Sequence, residues 1–108
     1  MGANKEYRQK VTVGGEDYEV VAAGATAQVL GTTGSIHDFL GRLIVNVTTS
    51  ATSQVSIKDG AGADVILVPP NAPIGAFTLE LGLLSSAGAW AVTTAAGVSV
   101  VAVGKFST

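Results

Sequence analysis

The sequence predicts an all-β fold, a single-domain β-sandwich or jelly-roll-like barrel of about seven to nine strands. Three observations predict it. Short segments in which apolar and polar side chains alternate recur along the 108 residues, and a two-residue period is the mark of a half-buried strand. Gly, Pro, Ser and Asp clusters punctuate these segments at spacings of roughly ten residues, as turns between strands do. Val and Thr are abundant, and both favour the pleated backbone.

The elements follow in order. Arg8 to Val13 and Tyr18 to Val21 flank Gly14-Gly15-Glu16-Asp17, which predicts a hairpin. Gln28-Val29-Leu30 is a short apolar piece within Gly, Thr and Ala punctuation. In Asp38 to Thr49, Leu43, Val45 and Val47 share one face, and Arg42, Asn46 and Thr48 the other, with Ile44 the exception. Gln54 to Lys58 sets Val55 and Ile57 against Gln54, Ser56 and Lys58, and Asp59-Gly60 then signals a hairpin before Asp64 to Val68. Pro69, Pro70 and Pro73 require a loop or an edge crossing. Ala76 to Gly82 places Phe77, Leu79 and Leu81 inside, with Thr78 and Glu80 outside. Ser85-Ser86-Ala87-Gly88 turns into Ala89 to Thr94, and Ala95-Ala96-Gly97 turns into Val98 to Phe106. Trp90 is expected to fill a core with Phe77, Leu79, Leu81 and Val92.

The last strand differs from the others. Val98, Val100, Ala102 and Phe106 occupy one face, while Val101 and Val103 are apolar positions on the opposite one. A strand apolar on both faces is central and covered twice, or covered by another subunit, so Val101 and Val103 are candidates for a subunit interface. The one candidate helix is a turn or two from Ser35 to Leu40, which Ser35 could cap with Asp38 three residues on. Gly34 and Gly41 fence that stretch and disfavour a helix. Residues 1–21 read as an amino-terminal arm and hairpin and residues 22–108 as the sandwich, one compact domain overall.

Composition narrows the function. Charged residues make up 13% of the chain and hydrophobic residues 47%, against about 25% charged in a typical domain. A lone globule with so few charges exposes large uncharged patches, which mark contact surfaces. A formal net charge of −2 offers no basic face for nucleic acid. No apolar run reaches the length of a membrane span, and the polar start MGANKEYRQK has no signal-peptide core. It opens Met-Gly, but Glu6 stands where a myristoylation signal needs Ser or Thr.

The same sequence is poor in chemistry. With one histidine and no cysteine, a Cys-His pair is impossible, and a Ser-His-Asp set would need His37, which reads as a polar loop residue beside Asp38. Glu16, Asp17, Glu19, Asp38, Asp59, Asp64 and Glu80 could supply a carboxylate pair, yet most fall where turns and exposed faces want them. Asp59 and Asp64 around Gly60-Ala61-Gly62 fit a hairpin turn and fall short of a calcium loop. Gly31-Thr32-Thr33-Gly34 lacks the Lys of a phosphate loop, and Asn46-Val47-Thr48 is a glycosylation sequon inside a strand. No catalytic residue, metal site or cofactor is expected.

Two stretches carry a family resemblance: Thr52-Ser53-Gln54-Val55-Ser56-Ile57-Lys58-Asp59-Gly60, and Phe77 to Phe106. The later part of the second reads LGLLSSAGAWAVTTAAGVSVVAVGKF. A Leu-rich strand end passes through Ser-Ser-Ala-Gly into a Trp strand, then through Thr, Ala and Gly into a closing Val-rich strand. In this the chain, from about Gly24 to Phe106, resembles the small head decoration, or capsid-cementing, proteins of tailed bacteriophages. The resemblance implies a β-sandwich, often a homotrimer, made in the host cytoplasm. It would bind the outside of the capsid shell and staple neighbouring capsomers. The family has no catalytic residues to carry over, and it does not match Met1 to Val21. That segment could serve as an arm, with Lys5, Arg8 and Lys10 meeting acidic groups on a partner and Tyr7 its one large anchor after Met1. The competing contact-protein reading is a carbohydrate-binding or tail-fibre-type module, which would present Trp90 or other aromatics as a platform.

Overall fold

The computed structural model describes residues 16–32 and 35–107. The eight strands form two four-stranded sheets in which every pairing is antiparallel. They are β1 (Asp17–Val21), β2 (Gln28–Val29), β3 (Phe39–Val47), β4 (Val55–Asp59), β5 (Val65–Val68), β6 (Gly75–Leu84), β7 (Trp90–Thr93) and β8 (Val98–Lys105). Sheet one has the order β1-β8-β3-β6 and sheet two the order β2-β7-β4-β5. The architecture is a β-sandwich, as the alternating segments require.

The core lies between the sheets, built from the apolar faces that alternation assigns. Leu43, Val45 and Val47 of β3, Val55 and Ile57 of β4, and Val98, Val100 and Ala102 of β8 are all at most 1% exposed. Each of the Val, Leu and Ile side chains contributes about 1.5–3 kcal/mol when fully buried. Trp90 and Val92 of β7 belong to the same cluster. Phe77, Leu79 and Leu81 pack against it from the side and are half-buried, because β6 is the edge strand of sheet one.

Local chemistry explains the remaining boundaries. Ser35 to Asp38 forms no helix. His37 adopts a left-handed φ of 67°, its N–H donates to Ser85 O at 2.8 Å, and β3 begins directly at Phe39. The Asp59-Gly60 hairpin forms between β4 and β5, with Gly60 at φ 58° and Gly62 N–H donating to Asp59 O at 2.9 Å. The proline loop crosses from β5 in sheet two to β6 in sheet one. Ser56 faces away from Val55 and Ile57, as alternation assigns, and is still 4% exposed, enclosed between Thr93 and Ile66 in its row. The first strand of the predicted hairpin, Arg8 to Val13, lies outside the described residues. Its second strand is β1, which pairs with β8 from Asp17↔Gly104 to Val21↔Val100.

Candidate contact surfaces

The clearest surface feature is where charge is absent. The described residues carry seven acidic and three basic side chains, and residues 20–36, 43–57, 65–79 and 81–104 carry none. Strand register turns these runs into geography. Asp17 sits opposite Gly104, Arg42 opposite Glu80 and Asp59 opposite Trp90, all towards the end of the sandwich that holds Asp38 and Lys105. The opposite end consists of loops 22–27, 48–54, 69–74 and 95–97, which are made of Ala, Thr, Ser, Gly, Pro, Asn, Gln and Ile. Backbone hydrogen bonds stitch these loops together. Gly24 N–H donates to Ala95 O (2.9 Å), Thr48 N–H to Gly97 O (2.8 Å), Gly97 N–H to Thr52 O (2.9 Å) and Asn71 N–H to Ser50 O (2.7 Å). Ser53, fully buried, donates to Pro69 O at 2.9 Å and accepts from Ala72 N–H at 2.8 Å.

A second surface is the outer face of sheet one. Val20, Val101, Ile44 and Thr78 lie side by side in one row across all four strands. Val20 is 59% exposed and Ile44 40%, and Val101 is half-buried. The neighbouring row is Tyr18, Val103, Arg42 and Glu80. Arg42 Nε lies 3.4 Å from Glu80 Oε2, and Arg42 Nη1 lies 3.8 Å from Glu16 Oε1. Val101 and Val103 therefore do share the outer face, but they differ in access. Val101 joins an open apolar stripe, whereas Val103, between Tyr18 and Arg42, is 1% exposed and offers little to a partner.

The third surface is the flank where the two sheets end in β5 and β6. Val65 (52%), Ile66 (59%) and Leu84 (63%) are largely exposed there, beside the half-buried Phe77, Leu79 and Leu81. Among the described residues no strand pairs with the outer edge of β6.

The polar corner near the carboxyl end is an open hollow of about 290 Å³ lined by Asp17, His37, Asp38, Lys105, Phe106 and Ser107. Its carboxylates are committed to structure. Asp38 is 4% exposed and accepts from Ser107 Oγ (2.6 Å) and Ser107 N–H (3.2 Å), while Asp17 accepts from Phe106 N–H at 3.4 Å. His37 stands exposed on its turn. Asp59 ties the β6–β7 turn. It accepts from Ala87 N–H (3.0 Å), Ser86 N–H (2.9 Å) and Ser86 Oγ (3.0 Å), and the Ala87 and then the Ser86 backbone bonds hold its carboxyl below the ordinary value. Among the described residues no three His, Cys, Asp or Glu side chains converge as metal ligands. No helix there is long and apolar enough to cross a membrane.

Trp90 offers no platform to a sugar. It is 6% exposed, and its Nε1–H donates to Asp38 O at 3.0 Å. Lys5, Tyr7, Arg8 and Lys10 lie outside the described residues. Sequence reasoning missed the outer stripe of Val20 and Ile44 and the exposed flank. The long uncharged runs were a visible signal for both, but their spatial meaning depends on strand register. Comparisons with family models, curated proteins and solved structures found no match.

Proposed function

We propose that this chain is a structural protein of a tailed-bacteriophage head: a decoration, or cement, protein. In this reading it binds the outside of the capsid shell as a homo-oligomer and stabilises it, without catalysis. It is made in the host cytoplasm and resides on the virion surface. The trimeric state comes from the family resemblance alone. The observation that carries the reading is the segregation of charge. More than half of the described chain is uncharged, with apolar side chains open on the sheet-one face and on the flank. Burying an unpaired charge in an interface is costly, so a surface cleared of charge suits a protein whose work is contact. A sandwich whose loops are stitched by backbone bonds also loses little freedom on docking, which favours a rigid staple.

The test uses expanded heads of the encoding phage, stripped of the protein. Purified chain should co-sediment with the heads at saturating, symmetry-related stoichiometry and raise the temperature at which they rupture. Failure to bind such heads, or binding without any gain in their stability, would remove the decoration reading.

A further inference from the structure

We propose that the open β5–β6 flank is a self-association surface, on which β6 pairs antiparallel with β6 of a second copy about a two-fold axis through Leu79. The inference goes beyond the proposed function and stands without it.

An edge strand presents unpaired N–H and C=O groups, and proteins protect such edges with Lys, Pro, inward charges, bulges or a short strand. β6 runs ten residues, GAFTLELGLL, and has no Lys, Pro or inward charge. Its one charged residue, Glu80, points outward and pairs with Arg42 at 3.4 Å. Its one protection is a bulge: two residues, Leu81 and Gly82, stand opposite Gly41, with Gly82 in the left-handed region at φ 65°. That bulge interrupts the strand at Leu81 and Gly82 and leaves Ala76 to Glu80 as a regular template.

The strand is self-complementary about Leu79, which is what an isologous interface requires. With Leu79 opposite itself, Phe77 falls opposite Leu81 of the second copy, and Thr78 falls opposite Glu80. The half-buried inner row of each copy then continues into the other, which closes the open side of both cores. Neighbouring registers are worse. Centring on Glu80 sets two carboxylates face to face, centring on Thr78 leaves Leu81 opposite Gly75, and a shift by half a step sets the apolar row against Thr78 and Glu80.

Charge segregation favours this orientation. Antiparallel pairing lays the charged end of each copy beside the uncharged end of the other, with Glu80, the one acid on β6, opposite Thr78 and diagonal to the second Glu80. The paired stretch from Phe77 to Leu81 measures about 17 Å along β6 and about 10 Å between sheets, roughly 170 Å² per copy before the outer side chains are counted. That area places the pair among weak, concentration-dependent contacts.

The chain has no cysteine, so an introduced one reports alone. Opposed residues in an antiparallel pair have Cα atoms about 4.5–5.5 Å apart, within disulfide range. On mild oxidation Leu79→Cys should yield covalent dimer far in excess of Ala96→Cys, which places a thiol on an exposed loop at the uncharged end. Thr78→Glu sets a carboxylate opposite Glu80 twice per pair and should weaken self-association by about ten-fold, while Thr78→Lys should tighten it. Thr78 is exposed on the outer face, so these two variants remain informative should Leu79→Cys fold poorly. No covalent dimer above the control, a monomer at every concentration, or self-association indifferent to both Thr78 variants would each overturn the proposal.

Discussion

Trp90 offers the sharpest test of how the two sheets are held together. It is 6% exposed in the core, and its ring N–H bonds across to Asp38 O, just before β3. Truncation to alanine removes most of a buried aromatic and leaves a cavity, which costs about 3–5 kcal/mol. Against a total stability of about 5–15 kcal/mol that is a large share. At about 4 °C per kcal/mol for a domain of this size, the melting temperature should fall by about 12–20 °C. Trp90→Phe should be milder, for a reason visible in the structure. Asp38 O also accepts from Ser85 N–H at 2.9 Å, so losing the indole donor orphans no carbonyl. The cost is one net hydrogen bond and a smaller ring, about 1–3 kcal/mol, or about 4–12 °C. Calorimetry of the parent and both variants at one pH and concentration measures the series. Both variants melting within about 2 °C of the parent, or phenylalanine proving as damaging as alanine, would refute the packing argument.

Further variants probe other contacts. Ser53→Ala strands the buried Ala72 N–H that Ser53 Oγ accepts from at 2.8 Å; it should cost about 1–3 kcal/mol by urea denaturation. Gly104→Ala places a Cβ onto Phe39 O across the β3–β8 pair, and forced overpacking of this kind should cost about 1–3 kcal/mol or more in the same assay. For Asp59 the folded carboxyl lies below its ordinary value of 3.8, so its stabilisation is fully present above that pH and is lost as the pH falls through the folded value. Asp59→Asn should therefore melt lower than the parent at neutral pH, and the gap should narrow in acid below about pH 4. A gap that stays constant down to pH 2 would show that the Ser86 and Ala87 bonds do not depend on the ionised carboxylate.

The faces of the strands were legible because alternation is a local property. Leu43, Val45 and Val47, or Val55 and Ile57, need only their neighbours in sequence to be assigned inward. The fold class followed, since no stretch had helical periodicity to compete. Sheet order was not legible, because pairing joins residues far apart in the chain, as β1 joins β8. Phe77, Leu79 and Leu81 alternate as cleanly as any core strand, and only the position of β6 at an edge leaves them half-covered. Val101 and Val103 look equivalent in sequence, yet Tyr18 and Arg42 flank one and leave the other in an open row. Ser53 gave no signal, because its bonds to Pro69 and Ala72 exist only once the proline loop has folded over it.

The stitched loops at the uncharged end have a consequence of another kind. Residues 22–27, 48–54, 69–74 and 95–97 include no acid, base, tyrosine or histidine, so none of their side chains changes protonation between strong acid and strong alkali. Their bonds run through backbone amides and the hydroxyls of Thr48, Ser53, Thr93 and Thr94, which do not titrate either. That end of the molecule is therefore chemically constant. A contact made through it draws no proton or counter-ion from this chain's own side chains there. Among the described residues, the ionisable side chains of Asp59, Asp38 and the Arg42 cluster lie towards the other end.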